Sequence, residues 1–284
     1  MELGEVGVWW SGTWRKAEGS ELETAAELEE LGYGALWSSG GFDPGLSSRF
    51  ERLLAATGRL TVASGIVSIW AGDAGDVSQA VGELETLYPG RFLLGVGASH
   101  AVAAGDYHLP YSHMVGYLDA LDSAGVVAAD RRVLAALGPR MLRLAADRAL
   151  GAHPYFVPVE HTARARETLG AGALLAPEVT VVLERDPATA RHLARTFTTG
   201  YLTLPNYSDN LRTLGYSDDD VAGGGSDRLV DAVVCWGDVD TVAAQVRRHL
   251  EAGADHVCLQ VVSDGRDTFP MAEYRLLAPA VLGR

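Results

Sequence analysis

The chain has 284 residues, of which 48% are hydrophobic and 21% charged, a globular composition that excludes a disordered or collagen-like chain. The net charge of -14 argues against nucleic acid as a partner, because surfaces that bind phosphate backbones are basic. No apolar run approaches the roughly 18 residues of a membrane helix, and the first residues carry no secretory signal. With only two cysteines, we expect a cytoplasmic protein that has no membrane partner.

Short apolar runs alternate with amphipathic stretches through the first half of the chain. The apolar runs predict strands over residues 6–10, 34–37, 60–67 and 91–96. Ser20 and Glu23 form a capping-box pattern that begins the first predicted helix, which ends at Gly32. A second helix is predicted over residues 77–88.

The second half continues this alternation less evenly. Its apolar runs predict strands over residues 133–136, 151–157, 178–183 and 256–262. Helical patterns cover residues 114–128, 139–150, 159–169 and 239–251. Asp186 and Pro187 supply an N-cap and a first-turn proline for a further helix after the seventh strand.

The eight apolar runs are continuous rather than alternating, which is typical of a parallel sheet covered by helices. Eight strand–helix units take about 250 residues in a (β/α)8 TIM barrel, and this chain holds them with one insertion, about residues 201–236, before the last strand. We predict such a barrel, with an open doubly wound sheet as the alternative. Because no linker divides the chain, residues 1–284 are predicted to form one domain.

The active site of such a barrel lies at the carboxyl ends of its strands. At one of these ends, the run Ala135–Arg140 leads from a strand into a helix N-terminus, where free amides and the helix dipole favour an anion such as phosphate. Gly138 permits close backbone approach, and Arg140 adds a positive charge. An ordinary turn with an exposed arginine is the alternative interpretation.

Small and aromatic residues occupy other strand ends. Gly95–His100 offers the small side chains that a planar ring needs in order to lie against a barrel wall. This run is not a dinucleotide-binding fingerprint, because the third glycine of that pattern is absent. Several tryptophans near the first three strands suit a flat, largely apolar ligand. We expect Trp10, Trp14 and Trp70 on the substrate side, together with the Tyr201–Tyr207 part of the insertion.

Histidines are the candidates for proton transfer and metal binding. His153, in the sixth predicted strand, can act as an acid or hydrogen-bond donor near neutral pH, or pack as a structural residue. His100, Asp106, His108 and His113 fit no metal-ligand spacing, so a polar loop is favoured and no metal is predicted. The strand ends lack the paired carboxylates of a glycosidase, and the chain lacks the nucleophile elbow of a serine hydrolase.

Six segments of the chain carry a resemblance to a known family. They are residues 34–37, 64–70, 87–100, 135–142, 151–155 and 253–257. In this order they resemble the luciferase-like monooxygenase superfamily, and within it the oxidoreductases that depend on coenzyme F420. The resemblance implies a small-molecule substrate and a homodimer. FMN is the alternative cofactor, since relatives that use FMN share the barrel.

The resemblance also implies a cofactor along the top of the barrel, with its deazaflavin ring deep and its phosphate tail outward. Gly65 and Ile66 correspond to a bulge behind the ring, where family members often have a non-proline cis peptide bond. Ala135–Gly138 correspond to the phosphate-binding segment. The implied cofactor-binding residues are Ser39, Gly65, Ile66, Ser68, Gly97, Ala98, Ser99, Ala135, Ala136, Leu137, Gly138, Pro139 and Arg140.

The sequence departs from the family pattern at the proton donors. Many F420-dependent members carry an acid–histidine pair after the second strand, where this chain has Ser38–Gly41, and their acidic residue after the fourth strand falls at Ala98 or Ser99. His100 and His153 remain as candidate catalytic residues. Three hypotheses follow: hydride transfer between F420 and a small organic substrate, an FMN-dependent monooxygenase, and a cofactor-binding barrel without catalysis.

Overall fold

The structure is a computed structural model that describes residues 1–11, 21–39, 46–100, 108–264 and 268–283. The strands of the described residues are β1 (Val6–Trp10), β2 (Ala35–Ser38), β3 (Thr61–Ser64), β4 (Val67–Ser68), β5 (Phe92–Gly97), β6 (Arg132–Leu134), β7 (Gly151–Ala152), β8 (Leu174–Leu175), β9 (Glu178–Val182), β10 (Val234–Trp236) and β11 (Val257–Val261). The helices are α1 (Glu21–Leu31), α2 (Leu46–Ala55), α3 (Ala74–Leu87), α4 (Pro110–Ala124), α5 (Pro139–Arg148), α6 (Val159–Leu169), α7 (Pro187–Leu202), α8 (Pro205–Thr213), α9 (Asp218–Val221), α10 (Asp227–Val233), α11 (Val239–Glu251) and α12 (Met271–Val281).

The strands form one parallel sheet that closes into a barrel. Their order is β10-β9-β11-β1-β2-β3-β5-β6-β7-β8, and β4 pairs with β5. The barrel closes where β8 leads into β9, because this stretch is hydrogen-bonded on both sides. On the side of β7, Ala176 N–H donates to the carbonyl of Ala152 (2.9 Å), and on the side of β11, Asp255 N–H donates to the carbonyl of Leu175 (2.9 Å). The predicted TIM barrel is confirmed.

Side chains alternate between the barrel interior and the surrounding helices, as they must in strands whose two faces are both covered. Trp37 stacks on His153 and donates from Nε1 to Nε2 of His256 (3.1 Å), so it reaches across the interior between distant strands. Its neighbour Leu36 packs instead in the cluster beneath the helices. The interior is therefore a filled core up to the level of His153, and any ligand space lies above it.

The observed strands follow the predicted ones closely, with two differences near the site. Each predicted strand overlaps an observed strand, but the third is divided into β3 and β4 by a bulge at Gly65 and Ile66. The sixth is only two residues long. The predicted insertion over residues 201–236 contains α8 to α10 and ends in β10, which pairs with β9. The helices α2 and α12 and the short strands β8 and β10 were not predicted.

Helix ends agree with the capping signals where these can be compared. Asp186 caps α7, with its Oδ1 accepting from Thr189 N–H (2.9 Å), and Pro187 is the first helical residue. The predicted cap Ser20 lies outside the described residues, and α1 is described from Glu21. Among the helices that the structure describes, none is long and apolar enough to span a membrane.

Candidate active site

An open cavity of about 390 Å³ lies at the carboxyl ends of the barrel strands. Its volume falls in the range of roughly 300–1,000 Å³ that is usual for small-molecule sites. The cavity contains most of the predicted site residues. It is lined by Trp9, Ser39, Gly65, Ile66, Ser68, Ala98, Ser99, His100, Ala135, Ala136, Leu137, Met141, His153, Tyr155, Tyr201, Asn206 and Tyr207.

Two ring nitrogens without partners lie at the floor of this cavity. Trp9 Nε1–H and His153 Nε2 are buried, and neither makes a hydrogen bond to any residue that the structure describes. Both approach Gly65: a Cβ atom built on this glycine would lie 2.9 Å from Trp9 Nε1 and 3.7 Å from His153 Nε2. Buried polar atoms are normally paired, so the floor offers one donor and one acceptor to a polar ligand.

The hydrogen bond at the other ring nitrogen determines the tautomer of His153. Nδ1 lies 2.7 Å from the carbonyl oxygen of Ala176, so Nδ1 carries the hydrogen and donates it. Burial lowers the pKa of His153 to about 4, which leaves the ring neutral at pH 7. Nε2 is therefore an acceptor at this pH, and a catalytic role of His153 stays a prediction.

A ring-nitrogen NMR titration is expected to show this tautomer directly. In protein labelled with ¹⁵N-histidine, His153 should have a protonated Nδ1 and an unprotonated Nε2 at pH 7, and should become doubly protonated only near pH 4. His153→Gln identifies the signal. A resonance that titrates between pH 6 and 7 would contradict the assignment.

His100, the other predicted catalytic residue, lies on the cavity wall and joins the loop after β5 to α8. Its Nδ1 is 3.1 Å from Oδ1 of Asn206, and its ring centre is 5.3 Å from that of Tyr207. Burial lowers the pKa of His100, and the bond to Asn206 opposes this shift. The imidazole is mostly neutral at pH 7, and its Nδ1 is the donor to Asn206, since an amide oxygen can only accept.

The bulge between β3 and β4 forms the wall predicted to support the ring. The peptide bond between Gly65 and Ile66 is cis, as the resemblance implies. Just before it, Ser64 Oγ accepts from Gly95 N–H (2.8 Å) and donates to the carbonyl of Gly95 (3.0 Å), which ties β3 to β5. Gly97 is not part of the lining. A Cβ on it would lie 2.7 Å from Ile66 Cδ1, so the missing side chain is what lets Ile66 take its place in the wall.

The predicted phosphate segment leads out of the cavity into α5. Ala135, Ala136 and Leu137 line the cavity, whereas Gly138, Pro139 and Arg140 lie beyond it and are exposed. Gly138 is the N-cap, and no described atom lies within 4 Å of the position that its Cβ would take. No side chain caps the helix. Arg140 packs its guanidinium 4.1 Å from the ring centre of Tyr111. The α5 N-terminus is thus open to an anion.

Aromatic side chains from the segment after β7 and from the α7–α8 region form another wall of the cavity. The ring centres of Tyr155 and Tyr201 are 5.2 Å apart, and those of Tyr201 and Tyr207 are 5.4 Å apart. The Tyr155 hydroxyl donates to Oε1 of Gln260 (2.6 Å) and lies 2.9 Å from the Tyr201 hydroxyl. This side of the cavity is apolar except for a short chain of hydroxyl groups.

A buried carboxyl group lies in the barrel wall beside these tyrosines. Glu178 is 1% exposed, and its oxygens accept from Thr180 Oγ1 (2.6 Å) and Phe156 N–H (3.2 Å). Burial raises the pKa of Glu178 to about 7, and no positively charged group among the described residues offsets the loss of water. The hydrogen bonds from Thr180 and Phe156 reduce this rise without cancelling it. Glu178 is therefore partly protonated near neutral pH.

Of the tryptophans predicted on the substrate side, Trp10 and Trp70 are not among the described residues that line the cavity. Trp10 is 2% exposed and packs on Phe269, with ring centres 4.5 Å apart, because alternation along β1 turns Trp9 into the barrel and Trp10 toward the helices. Trp70 lies behind the lining and donates from Nε1 to the carbonyl of Ala98 (2.7 Å). Trp14 lies outside the described residues, as do Gly40 and Gly41.

The histidines of the loop after β5 are divided between two places. His108 Nε2 and His113 Nε2 are 3.2 Å apart, whereas His100 bonds to Asn206. Asp106 lies outside the described residues. Within the described ranges, no group of three or more histidine, cysteine, aspartate or glutamate side chains could hold a metal ion. Cys235 and Cys258 are buried free thiols.

Several residues of the site were not among the predicted ones. Trp9, Met141 and Tyr155 line the cavity, and Glu178 and Gln260 support its aromatic wall. Glu178 and Gln260 carry a signal that the sequence offers, since each is a polar residue inside an otherwise apolar strand. Tyr201, Asn206 and Tyr207 also line the cavity, and they belong to the segment that was expected on the substrate side.

A closed parallel barrel with an apolar cavity at its carboxyl ends defines this protein as a member of the TIM-barrel class. A family model for the luciferase-like monooxygenases matches residues 9–124 and 127–256. The chain therefore belongs to the luciferase-like monooxygenase family of oxidoreductases. No curated protein sequence matches it significantly.

Solved structures of similar fold include enzymes that use either cofactor. An F420-dependent secondary alcohol dehydrogenase, in complex with an F420-acetone adduct, is 15% identical with a TM-score of 0.75, over 98% of both chains. The F420-dependent tetrahydromethanopterin reductase of Methanopyrus kandleri is 14% identical with a TM-score of 0.71, over 99% of both chains. The oxygenating component of 3,6-diketocamphane monooxygenase of Pseudomonas putida, in complex with FMN, is 16% identical with a TM-score of 0.70, over 99% of this chain and 98% of that chain.

Proposed function

We propose that the protein is an F420-dependent oxidoreductase that transfers a hydride between the deazaflavin ring and a small organic substrate. The proposal rests on the cavity at the strand ends, whose floor presents the unpaired Trp9 Nε1–H and His153 Nε2. It is supported by the sequence resemblance and by two F420-dependent enzymes among the similar structures. Localisation in the cytoplasm and assembly as a homodimer remain predictions.

The residues present fit a deazaflavin cofactor. Gly65, Ile66, Ala98 and Ala135 give one wall small or flat apolar surfaces, as a planar ring requires. The pyrimidine edge of such a ring carries both hydrogen-bond donors and acceptors, which matches the unpaired donor and acceptor at the floor. The open N-terminus of α5 beyond Leu137 suits a phosphate group on the tail.

The protein contributes orientation and exclusion of water, and bound F420 supplies a ring carbon that gives or accepts the hydride. Trp9 and His153 hold the polar edge of the bound ring system, and the His153–Ala176 bond holds the imidazole in the tautomer that accepts. No carboxylate is found among the described lining residues. The polar side-chain groups that these lining residues offer to a substrate are hydroxyl, imidazole, indole and amide groups.

Titration of the apoprotein with F420 and with FMN tests the proposal. We expect F420 fluorescence to change with a dissociation constant in the micromolar range, and FMN to bind far more weakly. His153→Phe keeps an aromatic ring but removes the acceptor, and should weaken F420 binding by about tenfold, as expected for one buried hydrogen bond. His192→Phe, on the exposed face of α7, is the matched control. FMN binding without F420 binding would overturn the proposal.

The FMN-dependent monooxygenase is the second candidate, since one of the similar structures contains FMN. Oxygen consumption with reduced flavin, together with a yellow colour of the purified protein, would support it. A third outcome, tight F420 binding without turnover of alcohols, imines or enones, would identify a cofactor-binding barrel without catalysis.

A further inference from the structure

We infer that the hydroxyl of Tyr201, supported by Tyr155 and Gln260, is the binding site for the oxygen atom of a flat ketone or of the corresponding alcohol. This inference deepens the proposed function by naming a substrate class, and it rests on the same cavity. Tyr155 and Tyr201 both line that cavity.

The three polar groups form a chain that ends at the cavity. Gln260 is 2% exposed and lies on β11 in register with Thr180 of β9. Its Oε1 accepts from the Tyr155 hydroxyl (2.6 Å), which in turn is 2.9 Å from the Tyr201 hydroxyl. Since the single hydrogen of Tyr155 is donated to Gln260, Tyr201 donates to Tyr155. The lone pairs of Tyr201 are then left to accept from the hydroxyl of an alcohol.

The chain can also run in the opposite direction. Nε2 of Gln260 is buried and has no partner among the described residues. Oxygen and nitrogen of an amide side chain are assigned from the hydrogen bonds they make, and a rotation of the amide by 180° places an N–H group against Tyr155. Tyr155 then donates to Tyr201, and the hydrogen of Tyr201 is free to be donated to a carbonyl oxygen.

The two directions of the hydrogen-bond chain suit the alcohol and the ketone of one redox pair. An alcohol brings a donor to the site and a ketone brings only an acceptor, and the chain accommodates each by reversing its direction. The surrounding rings add the preference for a flat apolar group: Tyr201 stacks on Phe156 with ring centres 5.3 Å apart, and Trp9 is 5.2 Å from Tyr155. An aryl ketone and its alcohol fit both properties.

The test compares acetophenone with α-methylstyrene, which has the same shape but a methylene group in place of the carbonyl oxygen. Calorimetric titration of the apoprotein is expected to give about tenfold tighter binding of acetophenone, the value of one hydrogen bond. Tyr201→Phe should remove this preference while α-methylstyrene still binds. Tyr216→Phe, a tyrosine that packs on Arg228 away from the cavity, is the matched control.

Infrared spectroscopy adds a readout whose first comparison uses the wild-type protein alone. The carbonyl stretch of bound acetophenone should lie at lower frequency in the wild-type protein than in a hydrocarbon solvent, and should return toward the solvent value in Tyr201→Phe. Equal binding of the two compounds, no binding of either, or an unshifted carbonyl band would each overturn the inference. So would a preference that persists in Tyr201→Phe and disappears in Tyr207→Phe.

The result is independent of the cofactor, because the apoprotein is used. If acetophenone is preferred but F420 does not bind, the oxygen site stands and the proposed function fails. If F420 binds and acetophenone is not preferred, the proposed function stands and the oxygen site fails.

Discussion

Replacement of Glu178 by glutamine is expected to stabilise the protein above pH 7 by about 3 kcal/mol relative to the wild type. The carboxyl group is buried without a positively charged partner, and burial raises its pKa from 4.5 to about 7. The folded protein therefore binds this proton more tightly than the unfolded chain does. The resulting stability is present below about pH 4.5 and is lost as the pH rises through 7. Glutamine retains an oxygen that accepts from Phe156 N–H, and its amide can donate to Thr180.

Urea unfolding at pH 4.5 and pH 8 measures this difference. The variant and the wild type should have similar free energies of unfolding at the lower pH, and the variant should exceed the wild type at the higher one. Glu251→Gln, at the exposed end of α11, is the matched control and should change neither value appreciably. A constant difference between Glu178→Gln and the wild type across this pH range would contradict the raised pKa.

Addition of one methyl group at Gly97 is expected to weaken F420 binding by about tenfold or more. The Cβ of an alanine would lie 2.7 Å from Ile66 Cδ1 and 3.0 Å from Ala135 Cβ, and both of these residues line the cavity. Ile66 must move to relieve this contact, which changes the surface against which the ring is proposed to lie. Overpacking of this kind costs roughly 1–3 kcal/mol, and a loss of about 1.4 kcal/mol corresponds to a tenfold change in the dissociation constant.

Gly116→Ala is the matched control for the effect of replacing a glycine with alanine. Gly116 lies on the exposed face of α4, and no described atom lies within 4 Å of its Cβ position. Alanine there should leave F420 affinity unchanged and stabilise the helix slightly. An F420 dissociation constant that is the same in Gly97→Ala and in Gly116→Ala would show that the Ile66 wall does not contact the ring.

The strands and helices of the barrel could be predicted where a local sequence pattern encodes them. Each strand is an apolar run, and each helix that was predicted has a hydrophobic period or a capping residue such as Asp186. Of the elements that were missed, the strands have weak local signals: β8 has two residues and β10 has three, and their pairing depends on the neighbouring strands. Closure of the sheet depends instead on hydrogen bonds between residues that are far apart in the chain, such as the bond from Ala176 N–H to the carbonyl of Ala152.

Residues of the site could be predicted mainly where they directly follow a barrel strand. The segments around Gly65, Ala98 and Ala135 follow directly from strand ends, so their residues line the cavity as a group. Which face of a strand turns inward is a different question. The choice between Trp9 and Trp10 depends on the register of β1, and neither residue type favours one side. The aromatic wall depends on the packing of α7 and α8 over the barrel, which no local pattern encodes.

The walls of the cavity come from separate stretches of chain. Residues 65–68, 98–100 and 135–141 precede β7, whereas most of the aromatic wall comes from residues 201–207, at the junction of α7 and α8. Substitutions at this junction can therefore change which molecule is recognised, while the remaining walls keep their geometry. Transplanting the α7–α8 junction between relatives is the economical way to redirect the specificity of this barrel.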